Sequence, residues 1–401
     1  MEPSPGWRAN LAFSARLTTI TKITSAYHRC HSDVVAADAR REAIVLETNA
    51  YNAAQSLEEY EQLCEERCKD LLRQAEPPVV KHEDVEKLPS PTGVNIGKFK
   101  NAFYHQEGLY SVIYKAIALD DAPYFPPEAK PGDRLVALKV TTPSVMTPPH
   151  DSKREARILE LSKSEHVISL LEAFRDDGVR FVLVFPFMPF ELDRLLQDQK
   201  TSRDQIKCCL KDMFSALSFI HSRGIIHRDV KPSNILLKSL DGPAYLSDFG
   251  IAWAPDTPGP ESAESKITDV GTTCYRPPEL LFGNKRYGCS LDLWAAGCTV
   301  AEAVVPGHPT LFDSGELGSD LALVHSIFTK LGTPSLTVWP EAANFPDWGK
   351  MQFHEYPTQS WSALLPGTSD IERDLVSKLV KYESGARMTA AQGLNHPYFK
   401  Q

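Results

Sequence analysis

The residues most able to do chemistry sit in one stretch, His227-Arg228-Asp229-Val230-Lys231-Pro232-Ser233-Asn234, followed by the apolar Ile235-Leu236. A further acid follows in Asp248-Phe249-Gly250, and another in Pro277-Pro278-Glu279. A carboxylate such as Asp229 can accept a proton from a hydroxyl. An ammonium such as Lys231 can sit beside an anion. The oxygens of Asn234 and Asp248 are hard donors of the kind Mg²⁺ takes. A surface His-Arg-Asp triplet in an unrelated fold would supply the first of these groups without the ordered set.

This set resembles the catalytic core of the eukaryotic protein kinases. The resemblance implies phosphoryl transfer from ATP to a protein hydroxyl, which needs positioning and charge neutralisation more than covalent help. It implies that Asp229 takes the proton of the incoming hydroxyl and that Lys231 lies beside the transferred group. Asn234 and Asp248 are then the Mg²⁺ ligands, and Thr272 bridges Asp229 and Lys231. Lys231 also marks the Ser/Thr class.

Leu135-Val136-Ala137-Leu138-Lys139-Val140 resembles the family's third strand, so Lys139 is expected on the α and β phosphates, with Ala137 beside it in the nucleotide site. Lys153 to Leu159 resembles the following helix and offers Glu155 as the partner of Lys139; an ordinary solvated helix charge is the plainer reading of Glu155. Glu107 to Ala116 resembles the turn that covers the phosphates. Of its three glycine positions only Gly108 remains, because Gln106 and Ser111 stand at the first and third. A stiffer or differently shaped lid is expected. Phe185 is expected behind the adenine, with Pro186 and Met188 at the hinge and Ile113 and Leu236 completing the site. Glu191 is a candidate for the ribose side. His227 and Phe249 are read as packing residues, and Tyr110 as a plain loop aromatic.

Tyr275-Arg276 before Pro277, the run from Ile327 to Pro340 and His396-Pro397-Tyr398-Phe399 resemble the cyclin-dependent kinase branch. There a strained residue turns its carbonyl toward the arginine, so a substrate proline after the phosphoacceptor is tolerated. Here that position is Gly271, which adopts φ > 0 without penalty. Proline is then tolerated rather than demanded. The helix bearing Glu155 lacks the family's cyclin-binding sequence. The usual activating threonine falls on Ile267, and one of three phosphate-binding arginines is replaced by Trp253, leaving Arg154 and Arg228. Asp269 to Thr273 and Leu281 to Tyr287 look like the fungal single-subunit CDK-activating kinases. The substrate implied is a protein, another cyclin-dependent kinase. The alternatives are a cyclin-bound relative acting in transcription or the cell cycle, and a pseudokinase scaffold.

These residues need a frame. The expected fold class is α+β: a bilobal kinase fold at 100–401, with a β-sheet small lobe at 100–186 and a mainly helical large lobe at 189–400. Residues 1–76 are read as a helical extension and 77–99 as a linker. From Ser32 to Gln74 there is no Pro or Gly, so a long helix or helix pair is expected, with Leu57, Tyr60, Cys64 and Leu71 as an apolar stripe that a partner could cover. Asp120 to Asp133 reads as a looped-out insert, and Ala254 to Ser265 as a mobile stretch of the activation segment. Cys208 and Cys209 lie on the expected central helix as core or half-buried thiols. Asp292 is expected to support the catalytic loop, and Glu279 to pair with Arg387.

Composition limits the partners. Hydrophobic residues make up 42% of 401, enough for a large core, and the formal net charge of −9 argues against a nucleic-acid binder held by bulk charge. No apolar run reaches the ~18 residues of a membrane helix. Eight scattered cysteines with no CxxC fit a reduced compartment, and nucleus or cytoplasm is expected. Arg8, Arg16, Lys22 and Arg29 against the single acid Glu2 mimic a mitochondrial presequence.

Overall fold

Val136, Leu138 and Val140 are buried, and the intervening Ala137 and Lys139 are not. A strand alternates its side chains, so Ala137 and Lys139 share the face opposite the core. This strand belongs to a computed structural model that describes residues 16, 19, 20, 23, 24, 26, 27, 36–54, 56–75, 93–126, 130–315 and 318–400. The basic N-terminal stretch and the Pro-rich part of the expected linker lie largely or wholly outside the described residues.

Two compact units divide the chain, 1–87 and 88–401. The first contains a helix pair, α1 (Ala36–Ala53) and α2 (Leu57–Ala75). Tyr60, Cys64 and Leu71 are buried as expected, but Leu57, on the first turn of α2, is exposed. A fully buried carboxylate, Glu47, accepts Arg16 Nε and Nη2 at 2.7 Å each and the Tyr60 hydroxyl at 2.8 Å. The cation and the hydroxyl together offset the cost of burying that charge.

The second unit is bilobal. Its small lobe is a six-stranded antiparallel sheet made of β1 (Val94–Ile96), β2 (Phe99–Glu107), β3 (Ser111–Ile117), β4 (Leu135–Thr141), β5 (Glu172–Asp176) and β6 (Arg180–Pro186), in the order β1-β2-β3-β4-β6-β5. β1 and the first residue of β2 fall within 77–99, the stretch read as linker. The insert is not wholly looped out. Ala122 is buried, and Tyr124 and Phe125 pack on the sheet's core with Val136, Leu138 and Val184. Helix α3 (Ser152–Leu161) lies beside this sheet.

The large lobe begins with β7 (Phe190–Glu191), which joins β8 (Ile235–Leu237) and β9 (Ala244–Leu246) in a second sheet. Its helices are α4 (Leu192–Gln197), α5 (Arg203–His221), α6 (Pro278–Leu281), α7 (Ser290–Val304), α8 (Asp320–Leu331), α9 (Trp361–Leu364), α10 (Asp370–Leu379) and α11 (Ala390–Leu394). A capping box, Ser202 with Gln205, starts α5. Ile206, Cys209, Leu210, Met213, Leu217 and Ile220 form its buried face. Cys209 is buried and Cys208 exposed, a correction to the paired reading. Neighbours on a helix point about 100° apart, and here the buried face runs through Cys209 and Leu210, which turns Cys208 outward.

α7 is buried along nearly its whole length. Arg387 donates Nη1 and Nη2 to the two oxygens of Glu279 at 2.5 and 2.7 Å, with both side chains shut off from solvent. This two-point pairing locks α6 to the 384–387 turn. Among the described residues no helix is long and apolar enough to cross a membrane.

Candidate active site

The β4 face that carries Ala137 and Lys139 opens on a cleft between the lobes. Gln106, Gly108, Ser111, Ile113, Ala137, Lys139, Phe185, Pro186, Met188, Asn234, Leu236 and Asp248 all line it, together with Glu155 and Glu191. Phe187, the middle residue of the expected hinge, also lines it, as does His105, which was not expected. Burial and the nearby cations Arg194 and Lys115 push the His105 imidazole down to about 4. It is therefore a neutral ring at neutral pH. At the hinge, the Phe187 N–H is taken by the Leu135 carbonyl at 3.0 Å. Pro186 has a carbonyl to offer and no N–H.

Lys139 Nζ donates to Glu155 Oε1 at 2.6 Å and to Asp248 Oδ1 at 2.8 Å. Glu155 is buried to 1%, so the solvated-charge reading does not hold. Burial disfavours the Lys139 ammonium, but Asp248 and Glu155 outweigh it and keep its pKa above the ordinary value. The charge of Lys139 in turn holds the Asp248 carboxyl well below the usual carboxylate range.

α3 is placed by contacts at its start. The Asp151 side chain caps it, accepting the amides of Lys153 and Arg154 at 2.9 and 3.1 Å. Thr141 donates its hydroxyl to Ser152 Oγ at 2.9 Å, tying the helix to β4. The lid over the cleft is clasped to the same region. Gly108 N donates to the Ser111 carbonyl at 2.7 Å, closing a tight turn. Tyr110 lays its ring 4.7 Å from that of His150 and meets the Thr147 hydroxyl at 2.6 Å. Tyr110 is therefore more than a plain loop aromatic.

The catalytic loop hangs from α7. Asp292 accepts the amides of His227 and Arg228 at 2.8 Å each, and His221 Nε2 at 2.8 Å. Burial pushes the Asp292 carboxyl up, but these bonds and the nearby imidazoles bring it below its ordinary value. Arg228 and Asp248 both hold positive φ, 73° and 59°, a conformation that needs support of this kind. His227 Nδ1 accepts the Asp229 amide at 3.2 Å, Nε2 donates to the Ser247 carbonyl at 2.8 Å, and the ring packs 4.7 Å from Phe249.

Asp229 is held on both oxygens. Oδ1 accepts the amide and hydroxyl of Thr272, each at 2.9 Å. Oδ2 faces Lys231 Nζ and Asn234 Nδ2, both at 3.0 Å. Asn234 Nδ2 also donates to the Asp229 carbonyl at 2.7 Å, which leaves Oδ1 as the free end of that amide. An amide oxygen and a carboxylate kept ionised by Lys139 are a donor pair that suits Mg²⁺ with bound phosphates. Arg276 Nε donates to the Gly271 carbonyl at 2.9 Å, and Gly271 has φ +76°.

A second residue also escaped the sequence reading. Glu261 lies inside the stretch expected to be mobile, yet its side chain is only 2% exposed. Its oxygens accept Arg228 at 2.6 and 3.0 Å, Arg154 at 3.1 Å and the Ile267 amide at 2.8 Å. Nothing in the local sequence distinguishes it from the neighbouring Glu264.

Comparison with known proteins agrees with this geometry. The family description "Protein kinase domain" matches residues 128–399, and strands β1 to β3 extend the same sheet upstream. The serine/threonine-protein kinase csk1 of Schizosaccharomyces pombe is 40% identical over 263 residues, 65% of this chain and 84% of that one. Cyclin-dependent kinase D-1 of Oryza sativa subsp. japonica is 34% identical over 297 residues, covering 73% of this chain and 64% of the rice protein. Cyclin-dependent kinase 20 of Danio rerio is 32% identical over 297 residues, 73% and 80% of the two chains. With the motifs in place and the cleft assembled around them, the chain belongs to the protein kinase family, as a serine/threonine kinase of its cyclin-dependent kinase branch.

Proposed function

We propose that this kinase works without a cyclin and phosphorylates the activation-segment threonine of another cyclin-dependent kinase. The observation that carries the first part is the closed Lys139–Glu155 pair on a helix fastened from within the chain. Asp151, Ser152 and Arg154 each tie α3 to β4, to the preceding loop or to the activation segment. A helix held this way has no need of an external partner to bring Glu155 inward. The segment resemblance at Asp269 to Thr273 and Leu281 to Tyr287 carries the second part. The reading places the protein in nucleus or cytoplasm, where such substrates reside.

Within this reading the resemblance supplies the roles and the geometry supports them. Bound ATP supplies the phosphoryl group, and Mg²⁺ neutralises the charge it carries. Lys139 orients the α and β phosphates. Asn234, through Oδ1, and Asp248 are the residues that would hold the metal. Asp229 accepts the proton of the incoming hydroxyl, and Thr272 and Asn234 keep its carboxylate from swinging away. Lys231 stands beside the transferred group. Arg276 removes the Gly271 carbonyl as an acceptor, so the substrate residue after the phosphoacceptor needs no N–H.

The test uses the purified full chain, treated with phosphatase and free of other proteins. It is given Mg-ATP and a cyclin-dependent kinase with its activation-segment threonine intact, with Asp248→Asn as control. Labelling of that threonine by the wild type alone is the expected result. Retained ATP binding with no transfer to this substrate or to a generic basic protein would mean that a cyclin-like partner is needed or that the fold serves as a scaffold.

A further inference from the structure

Burying a carboxylate is costly unless cations and hydrogen bonds compensate it. Glu261 has both. Its Oε1 accepts Arg228 Nη2 and the Ile267 amide, and its Oε2 accepts Arg228 Nη1 and Arg154 Nη1. Burial alone would push this carboxyl up; Arg228, the Ile267 amide and Arg154 reverse the direction and keep it ionised.

The two arginines come from different lobes. Arg154 directly precedes Glu155, the partner of Lys139, on α3. Arg228 directly precedes Asp229 in the catalytic loop. Ile267 belongs to the activation segment and packs beside Trp253 and Val270. One carboxylate therefore joins the small-lobe helix, the catalytic loop and the segment that leads to Thr272. The backbone is shaped for this approach. A Cβ on Gly259 would lie 3.0 Å from Arg154 Nη1, so the chain passes the guanidinium at a distance only glycine allows comfortably. Further contacts run to main-chain carbonyls, Arg154 to Pro149 and Arg228 Nη1 to Ile251, while the buried Arg228 Nε has no hydrogen-bond partner among the described residues.

We propose that Glu261 is a positioning residue for phosphoryl transfer, a permanently charged clamp on Arg154 and Arg228 that makes phosphorylation of the activation segment unnecessary for activity. No hydroxyl is available at Ile267, where the amide already serves the clamp. The inference rests on the chain being an active kinase and not on which protein it phosphorylates.

The experiment uses the full chain made in bacteria, with intact mass establishing that it carries no phosphate, and a generic basic protein as substrate. The wild type is assayed first, so a failure of the kinase reading itself is seen separately. Glu261→Gln keeps the shape and loses the charge. It is expected to lower kcat about 10- to 100-fold while KM for ATP moves less than about threefold, because the change misplaces reacting groups more than it weakens nucleotide binding. Glu261→Ala leaves room for an oxyanion between the two guanidinium groups. Sulfate, compared with chloride at equal ionic strength and normalised to wild type, is expected to raise its activity about fivefold or more, and to leave Glu261→Gln unchanged. Wild-type kcat in either variant overturns the proposal. So does a loss in Glu261→Ala that sulfate cannot restore although the variant melts and binds ATP as wild type does. Should Glu261→Ala fail to fold, Glu261→Gln decides alone, and a kcat within about twofold of wild type overturns the proposal.

Discussion

Thr272 donates a hydrogen bond from its hydroxyl to Asp229 Oδ1 at 2.9 Å and accepts one from Lys231 Nζ at 2.7 Å. One small side chain thus holds the two charged groups nearest the transfer in fixed relation. Thr272→Val keeps the volume and loses both bonds. Its kcat should fall roughly 10- to 100-fold, with KM for ATP little changed, as expected when reacting groups drift by a fraction of an ångström. Thr272→Ser keeps the hydroxyl and should stay within about threefold of wild type in the same steady-state assay.

Gly271 sits over the Arg228 carbonyl, where an added Cβ would lie 2.4 Å from the oxygen, and its φ is +76°. Gly271→Ala must therefore move the loop that positions Thr272. Left-handed geometry alone costs a side-chain-bearing residue about 1–2 kcal/mol, and the clash adds to it. The expected result is a drop of about tenfold or more in kcat/KM for a protein substrate. Nucleotide affinity, measured by direct titration, should stay near the wild-type value because Gly271 does not itself line the cleft.

Glu302 accepts the Tyr275 hydroxyl at 2.5 Å in a buried setting that pushes its carboxyl up to about 7. An unfolded chain releases this proton near 4.5. Between the two values the native state binds more protons, so this group's contribution to stability is lost as pH rises. Glu302→Gln removes that dependence. Comparing the two proteins by thermal unfolding at pH 5 and pH 8, the wild type should lose roughly 1–3 kcal/mol more than the variant.

Tyr110 fastens the phosphate lid to the loop before α3 through His150 and Thr147. Tyr110→Phe keeps the ring contact and loses an exposed hydrogen bond, worth about 1 kcal/mol or less. KM for ATP should rise by no more than about threefold. Tyr110→Ala loses both contacts and should raise it about tenfold, with kcat changing less. Equal values for the two variants would show that the ring contact contributes nothing.

The parts of the site legible from sequence are those whose partners lie close along the chain or at characteristic spacing. Asp229, Lys231 and Asn234 fall within six positions, and Lys139 and Glu155 come from adjoining elements. Glu261 was not legible because its meaning depends on Arg154, 107 positions away, and Arg228, 33 positions away. Read locally, a Pro-, Ser- and Glu-rich stretch suggests solvent. Cys208 and Leu57 misled for a different reason: apolar character was taken for burial, while helix phase and a helix end set their exposure. The start of the small lobe was hidden because β1 has only three residues, two of them exposed.

Glu279 and Arg387 stand 108 residues apart in the chain. A ribosome adding about 5–20 residues per second completes Glu279 roughly 5–20 s before Arg387 exists. During that interval the emerging large lobe carries a carboxylate without its cation, so α6 can pack on Ile226 and Leu291 but its acid stays unpaired by Arg387. Completion of this lobe waits on a residue that arrives late. A nascent chain paused between the two positions presents chaperones with an unfinished surface.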